Sequence, residues 1–338
     1  MLLRASLIAL LLAAPALAQD AEIPPNPEPV EAQPTQPTDP DLESEPEDLF
    51  ALDPRVAFEA FFAGNYQRAF DLAVTFAGRD DAPSMRLLGQ MYAAGLGVDQ
   101  NQEEAAEWFR LASQTGDMDA KFLLATMILD GAFIERNEEE AANLLIAATE
   151  ADHTEAKQML AMLHLEGRGV ERDLERGAQL MREAADEGNV TAIYTLGILY
   201  AEGAGVRLDT REAYQWFDRA ARRGNTEAQI ELALGLLNGD AGEPDLTQQQ
   251  RTENAIFWLR RAAEAGNPVA ENRLAHAFSQ GFGVPLDPVE AAYYHARAVA
   301  GGLADARLDA FVSSLPEEQR QEAMDRIARD RAPDNPLD

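Results

Sequence analysis

The side chains of this chain that could do chemistry are few. There are four histidines (His153, His164, His276 and His295), two lysines (Lys121 and Lys157) and a row of acids formed by Asp130, Glu166 and Glu202. No histidine pair has metal-ligand spacing along a helix, and no H-E-x-x-H occurs. His276 and His295 fall on the two helices of one repeat and could approach one another, but two histidines are too few ligands for a zinc site. The usual serine nucleophile contexts, G-x-S-x-G and S-x-x-K, are absent, as are the P-loop and the dinucleotide fingerprint. The acid row invites a cation or acid–base role. Such work also needs a pocket and shifted pKa values, so a solvated rim fits the row better. Lys121 and Lys157 are 36 residues apart and read as surface positions. Trp108, Trp216 and Trp258 could stack a ligand, yet they share one column of a repeat, which points to core. We therefore assign no catalytic, cofactor-binding or metal-binding residue.

The elements that position these residues are set by a period. Gly95, Gly131, Gly167, Gly203 and Gly239 are each 36 apart, and Gly281 follows after 42. Ala120, Ala156, Ala192 and Ala228 step the same way, then Ala270 after 42. A third column reads Trp108, Leu144, Leu180, Trp216, Trp258 and Tyr294. Three columns with one period and one shared insertion define a repeat array. In the central unit, Val190–Asn225, the residues Ala192, Leu196, Leu199 and Tyr200 lie on one helical face. Gly203-Ala204-Gly205 ends that helix. Asp209 stands as N-cap before a second helix carrying Ala213, Trp216, Phe217 and Ala220. The cap column repeats as Asn101, Asn137, Asp173, Asp209 and Asp287. One unit cannot bury its apolar stripe alone, so neighbours must stack. The expected fold is an all-α, α/α right-handed superhelical solenoid of helix-turn-helix repeats.

These columns resemble the Sel-one-like repeat (SLR) family, relatives of the tetratricopeptide repeat. Ala192, Leu196, Gly197, Tyr200, Gly203, Gly205, Val206, Asp209, Ala213, Trp216, Ala220, Ala221 and Gly224 match its pattern in place. The copy at Ala120 departs, with Phe133 for the second Gly and Asp152 for the terminal one. The copy at Ala228 departs at Gly239–Gly242. What the resemblance implies is a non-enzymatic adaptor or regulator of an envelope or signalling complex. Some cysteine-rich relatives are linked to penicillin binding and β-lactamase activity; this chain has no cysteine and so lacks their paired ones. A third reading is recognition of a glycan or peptidoglycan fragment, for which Tyr194 and Phe122 are the candidate stacking aromatics.

Around the array the sequence changes character. Residues 1–18 have one Arg, an apolar run and Ala16-Leu17-Ala18. They read as a signal peptide cleaved after Ala18, with export to a periplasm. The run is too short for a membrane span, and membrane insertion is not expected. Residues 19–49 carry ten acids, eight prolines and no Lys or Arg, which suits an acidic tether or an acidic docking peptide. Residues 50–81 read as a degenerate capping repeat: Val56, Phe58, Phe61 and Phe62 on one helix, Gly64-Asn65 as a turn, and Tyr66, Ala69, Phe70 and Ala73 on a second. Six repeats occupy 82–302, with an insertion at 240–250 expected as a surface loop. Residues 303–331 read as capping helices, with Ala323, Met324 and Ile327 on one face, and 332–338 as a tail. The net charge of −31 argues against nucleic acid and anionic membranes.

A partner has one expected place. In tetratricopeptide-like arrays the first helices line the concave face. By register that face carries Phe122, Gln158, Tyr194 and Ile230, then four residues later Thr126, Met162, Ile198 and Leu234. An apolar stripe with an acidic rim suits an extended or helical peptide bearing Lys or Arg. The alternative is tight packing of neighbouring repeats over the same side chains.

Overall fold

The computed structural model of the chain describes residues 53–241 and 246–331. The expected leader (1–18), acidic segment (19–49), residues 242–245 of the insertion and tail (332–338) lie outside the described residues. All sixteen regular elements among the described residues are helices. They fall into two compact units that divide between Arg172 and Asp173. The first unit holds α1 (Arg55–Phe62), α2 (Tyr66–Ala77), α3 (Ala82–Ala94), α4 (Gln102–Gln114), α5 (Met118–Asp130), α6 (Glu138–Glu150) and α7 (Thr154–Glu166). The second holds α8 (Leu174–Asp186), α9 (Val190–Glu202), α10 (Thr210–Ala221), α11 (Thr226–Asn238), α12 (Gln248–Glu264), α13 (Pro268–Gln280), α14 (Pro288–Ala300), α15 (Ala306–Ser314) and α16 (Glu317–Arg331).

Each helix end has a chemical cause. The expected cap column is in place: the side chains of Asn101, Asn137, Asp173, Asp209 and Asp287 accept backbone N–H bonds from the first turn that follows. A second cap column opens the first helices, with Asp81, Asp117, His153, Asn189, Asn225 and Asn267. The sequence reading passed over it. Five members are Asp or Asn, the residue types such a position prefers. At the sixth, Nδ1 of His153 accepts from the Ala156 N–H at 3.2 Å.

The first helices end on left-handed glycines, Gly203 among them at φ 70°. Behind it the next glycine, Gly205, approaches the preceding repeat so closely that a Cβ would lie 1.9 Å from the Leu174 carbonyl oxygen. Gly169 stands likewise over the Glu138 carbonyl. Where the column has Phe133, the residue does not take the left-handed conformation, and its ring is exposed.

The core is built from the expected alanine column. Ala120, Ala156, Ala192, Ala228 and Ala270 are fully buried. In the first unit α1 and α2 form the expected opening pair, with Ala57, Ala69, Leu72, Ala73 and Phe76 packed with Met85, Leu87, Leu88 and Met91 of α3. Val56, Phe58 and Phe61 join that cluster. Phe62 does not; its ring is 81% exposed.

The insertion needs a correction. Gln248–Gln250 are helical, because Thr247 and Gln250 form a reciprocal capping box that starts α12 early. The extra residues thus lengthen α12 to 17 residues as well as the connection before it.

At the C-terminal end, α15 and α16 close the second unit. Ala323 and Ile327 pack on Ala292 and Tyr293 of α14, while Met324, expected on the same face, points to solvent. Leu308 is the one buried residue of α15 and Val312 packs on the α14 cluster, so polar contacts add much to the hold on that helix. Asp305 caps it, accepting from the Arg307 and Leu308 N–H groups. The same carboxylate meets His276 Nε2 at 2.8 Å and accepts from Asn272. The His276 hydrogen bond, ahead of the Asn272 and backbone bonds, holds the Asp305 carboxyl well below the usual carboxylate range. A carboxyl lowered on folding stabilises the native state above its unfolded pKa of about 3.9, and that stabilisation is lost as pH falls through the native value. Asp305→Ala should therefore destabilise α15 by about 1–2 kcal/mol at neutral pH, read as faster hydrogen exchange of the α15 amides. The difference from wild type should shrink in acid. A pH-independent difference would show that the carboxylate charge is irrelevant to the cap.

Candidate partner-binding surface

The first-helix column that begins at Arg86 runs through Phe122, Gln158, Tyr194 and Ile230 to Asn272. Its ends show what the position does. Arg86 donates to Asp117, the N-cap of α5, at 3.0 Å. The Phe122 ring stacks on His153, the N-cap of α7, with centroids 5.0 Å apart. Asn272 donates to Asp305, the N-cap of α15. In these three copies the column is a joint, where one first helix meets the start of a later one.

The two units differ in what this leaves open. In the second unit Tyr194 is 6% exposed, Ile198 1% and Ile230 8%. Tyr194 packs against Phe217, 5.8 Å between centroids. Burial, helped by Glu231 and Glu227, pushes its phenol well above the ordinary range. These three are corrected from the expected surface to the core; Phe217 covers Tyr194, and it comes that close because Gly197 has no side chain in its way. Leu234 stays half-buried. In the first unit Phe122, Thr126, Gln158 and Met162 are all half-buried, as are their neighbours Leu123, Met127 and Met159. The accessible stripe is therefore on α5 and α7.

The residues singled out for chemistry take structural posts. The lysines are not simple surface positions. Lys157 is 4% exposed and its ammonium pairs with Asp152. Lys121 Nζ donates to the Ser113 carbonyl at 3.0 Å. In the same column Gln229 Nε2 donates to the Ala221 carbonyl at 3.1 Å, and Glu271 is buried against Arg297, Nε to Oε1 2.6 Å. This column faces the end of the preceding second helix, where helix carbonyls lack partners. Burial raises the Glu271 pKa against the pull of Arg297.

Nor is the acid row uniformly solvated. Asp130 is exposed, but Glu166 pairs with Arg168 at 2.8 Å, and Arg168 also donates to Glu138 at 2.9 Å. Hydrogen bonds from Arg136 first, then Arg168, lower the Glu138 pKa. His164 Nδ1 lies 3.3 Å from the Glu171 carbonyl oxygen. His295 Nε2 lies 2.8 Å from Asp309 and His276 Nε2 lies 2.8 Å from Asp305, so the two histidines serve separate carboxylates. Among the described residues no three His, Asp or Glu side chains are grouped to hold a metal ion. Trp216 and Trp258 are buried, and Trp108 is partly buried against the first-unit core.

The model of the Sel1 repeat matches six successive segments, 82–117, 119–153, 154–189, 190–225, 226–267 and 268–303. The chain belongs to the Sel1 repeat family. Among solved structures, a Sel1 repeat protein from Oxalobacter formigenes is similar at 27% identity and TM-score 0.65, over 72% of this chain and 96% of that one. The protein c5321, a protective antigen of uropathogenic Escherichia coli strains with an SLR fold, aligns at 24% identity and TM-score 0.57, over 81% of this chain and 68% of its own. No curated protein matches the chain. Sel1 repeat proteins generally mediate protein–protein interactions, and this repeat fold is typically a non-catalytic scaffold. No helix among the described residues is long and apolar enough to cross a membrane.

Proposed function

We propose that this Sel1 repeat protein is an exported, periplasmic adaptor that holds a protein segment on the first-helix face of its first unit. The observation that carries the reading is the half-buried set Phe122, Thr126, Gln158 and Met162 on α5 and α7. Phe122 and Met162 keep apolar side chains partly accessible at these places, beyond the one ring face that Phe122 stacks on His153, and accessible apolar patches mark contact sites. Acids stand at the edge of this stripe, with Asp119 and Glu155 both more than half exposed. An amphipathic or extended segment bearing Lys or Arg fits that surface. Export rests on the sequence of residues 1–18.

The test is capture from envelope extract with the chain from Gln19 onward, beside a Phe122→Ser/Met162→Ser variant. A partner retained by the first and reduced at least tenfold by the second, with thermal unfolding of the two within a few degrees, is the expected result. Equal retention would remove the first-helix face from consideration. Appearance of the full-length chain in the cytoplasmic fraction, unprocessed, would overturn export.

A further inference from the structure

The second unit carries a surface of the opposite character. A cleft of about 460 Å³ lies on α12 beside the end of α10, lined by Arg222, Asn254, Phe257, Trp258 and Arg261. Asn254, Phe257, Trp258 and Arg261 follow at i, i+3, i+4 and i+7, so they share one helix face. Phe257 is 51% exposed although large and apolar. It stands edge-on to Trp258, 5.1 Å between centroids. The Trp258 ring is buried over most of its area and offers the cleft only a rim. Arg222 is held by Asp218 at 2.6 Å yet remains 68% exposed. Arg261 is exposed too. The site thus offers aromatic rings, an amide and two guanidinium groups.

That constellation has a definite preference. Aromatic-lined clefts take proline rings, because an extended polyproline II strand arrives with little conformational entropy left to lose. Two guanidinium groups in the lining select carboxylates and do so as bidentate donors. A chain with 59 acids and 28 basic residues places two arginines here, so the match is to an acidic, proline-bearing strand. The chain's own sequence contains one. Between Gln19 and Leu49 there are ten acids, eight prolines and no base. Pro34, Pro37 and Pro40 are spaced by three, the period of a polyproline II turn; Asp39 lies just before the last of them, and Asp41, Glu43 and Glu45 follow it.

We propose that the α12 cleft docks the acidic proline-rich segment of a second copy of this chain. Charge complementarity chooses the occupant: Arg222 and Arg261 take the carboxylates near Asp39–Glu45, and Phe257 takes the proline edge. Each copy carries one cleft and one segment, so the contact is head-to-tail and the associated mass grows with concentration. The affinity is salt-dependent, because exposed charges are screened beyond about 8 Å at physiological ionic strength.

Sedimentation equilibrium of the chain from Gln19 onward tests this over a concentration series at low salt and at high salt. The expected result is reversible association at low salt, weakened at least tenfold at high salt and at least tenfold by Arg222→Glu/Arg261→Glu. A second variant, Asp39→Asn/Asp41→Asn/Glu43→Gln/Glu45→Gln, leaves the folded units untouched and should weaken association equally. A synthetic peptide of residues 33–48 should compete. A chain that stays monomeric at all concentrations overturns the proposal, as does association that neither variant weakens. Binding of the peptide without self-association also overturns it, and moves the occupant to an acidic segment of another protein.

Discussion

Replacing Trp216 with alanine is expected to destabilise the second unit by about 3–5 kcal/mol, the range for deleting a large aromatic side chain from a core. Trp216 is the second-helix member of the repeat column, and its ring is buried. More than apolar area is lost with it. Arg219 lies over one ring face at 5.0 Å and Arg182 at 6.0 Å, and Nε1 donates to Glu212 at 3.2 Å. Arg219 in turn donates to the Ala185 carbonyl at 3.1 Å, the end of α8. Trp216→Phe should recover part of the loss, since an aromatic ring stays in place while the second ring of the indole and the Glu212 bond go. The measurement is denaturant unfolding followed by circular dichroism. An alanine variant within about 1 kcal/mol of wild type would show that the ring packs on nothing the fold depends on.

How far the sequence revealed these roles depends on how each column acts. Columns that act through local chemistry were legible. Gly203 ends its helix and Asp209 caps the next because a left-handed glycine and an Asp before an apolar run act within a few residues. The Thr247–Gln250 box obeys the same local rule and could have been read from T-x-x-Q, which would have placed the start of α12 correctly. Columns that act between repeats were not legible. Lys157 looked like surface because lysines usually are, but its burial follows from the end of a preceding helix lying across it, together with the pairing to Asp152. Tyr194 and Ile198 looked free because they fall outside the family's packing pattern. Yet both are buried, and Tyr194 is covered by Phe217, which comes close only because Gly197 has no side chain. Phe122 has a His153 ring beside it instead, and remains half-buried. The apolar stripe was therefore read as one surface, whereas local partners make it core in α9 and accessible in α5 and α7. The Arg222–Arg261 cleft was missed for a related reason: net charge was read over the whole chain, and the pairing of arginines with Phe257 is visible only once α10 and α12 lie side by side.

Two glycine substitutions separate backbone conformation from close approach. Gly205→Ala is expected to cost about 2–5 kcal/mol, and Gly188→Ala about 1–2 kcal/mol. Both glycines are left-handed, at φ 68° and 100°, and a side chain there costs about 1–2 kcal/mol from conformation alone. Around Gly188 nothing lies within 4 Å of an added Cβ. The chain itself tolerates a side chain in that column, since Asp152 stands 36 residues earlier at φ 68°. Gly205 has no such freedom. An added Cβ would sit 1.9 Å from the Leu174 oxygen, 2.4 Å from its carbonyl carbon and 3.1 Å from Ala178 Cβ. The obstacle is the first turn of α8, with Ala178 behind it, so relief requires moving a helix rather than a flexible side chain, and overpacking of that kind adds about 1–3 kcal/mol. One of the two repeats that lack this glycine shows the same constraint: Phe133 does not take the left-handed conformation, and its ring is left in solvent. Thermal unfolding of the two variants side by side decides the matter. Equal losses would mean that the contact with Leu174 is soft, and that the second glycine of the turn is kept for its conformation alone.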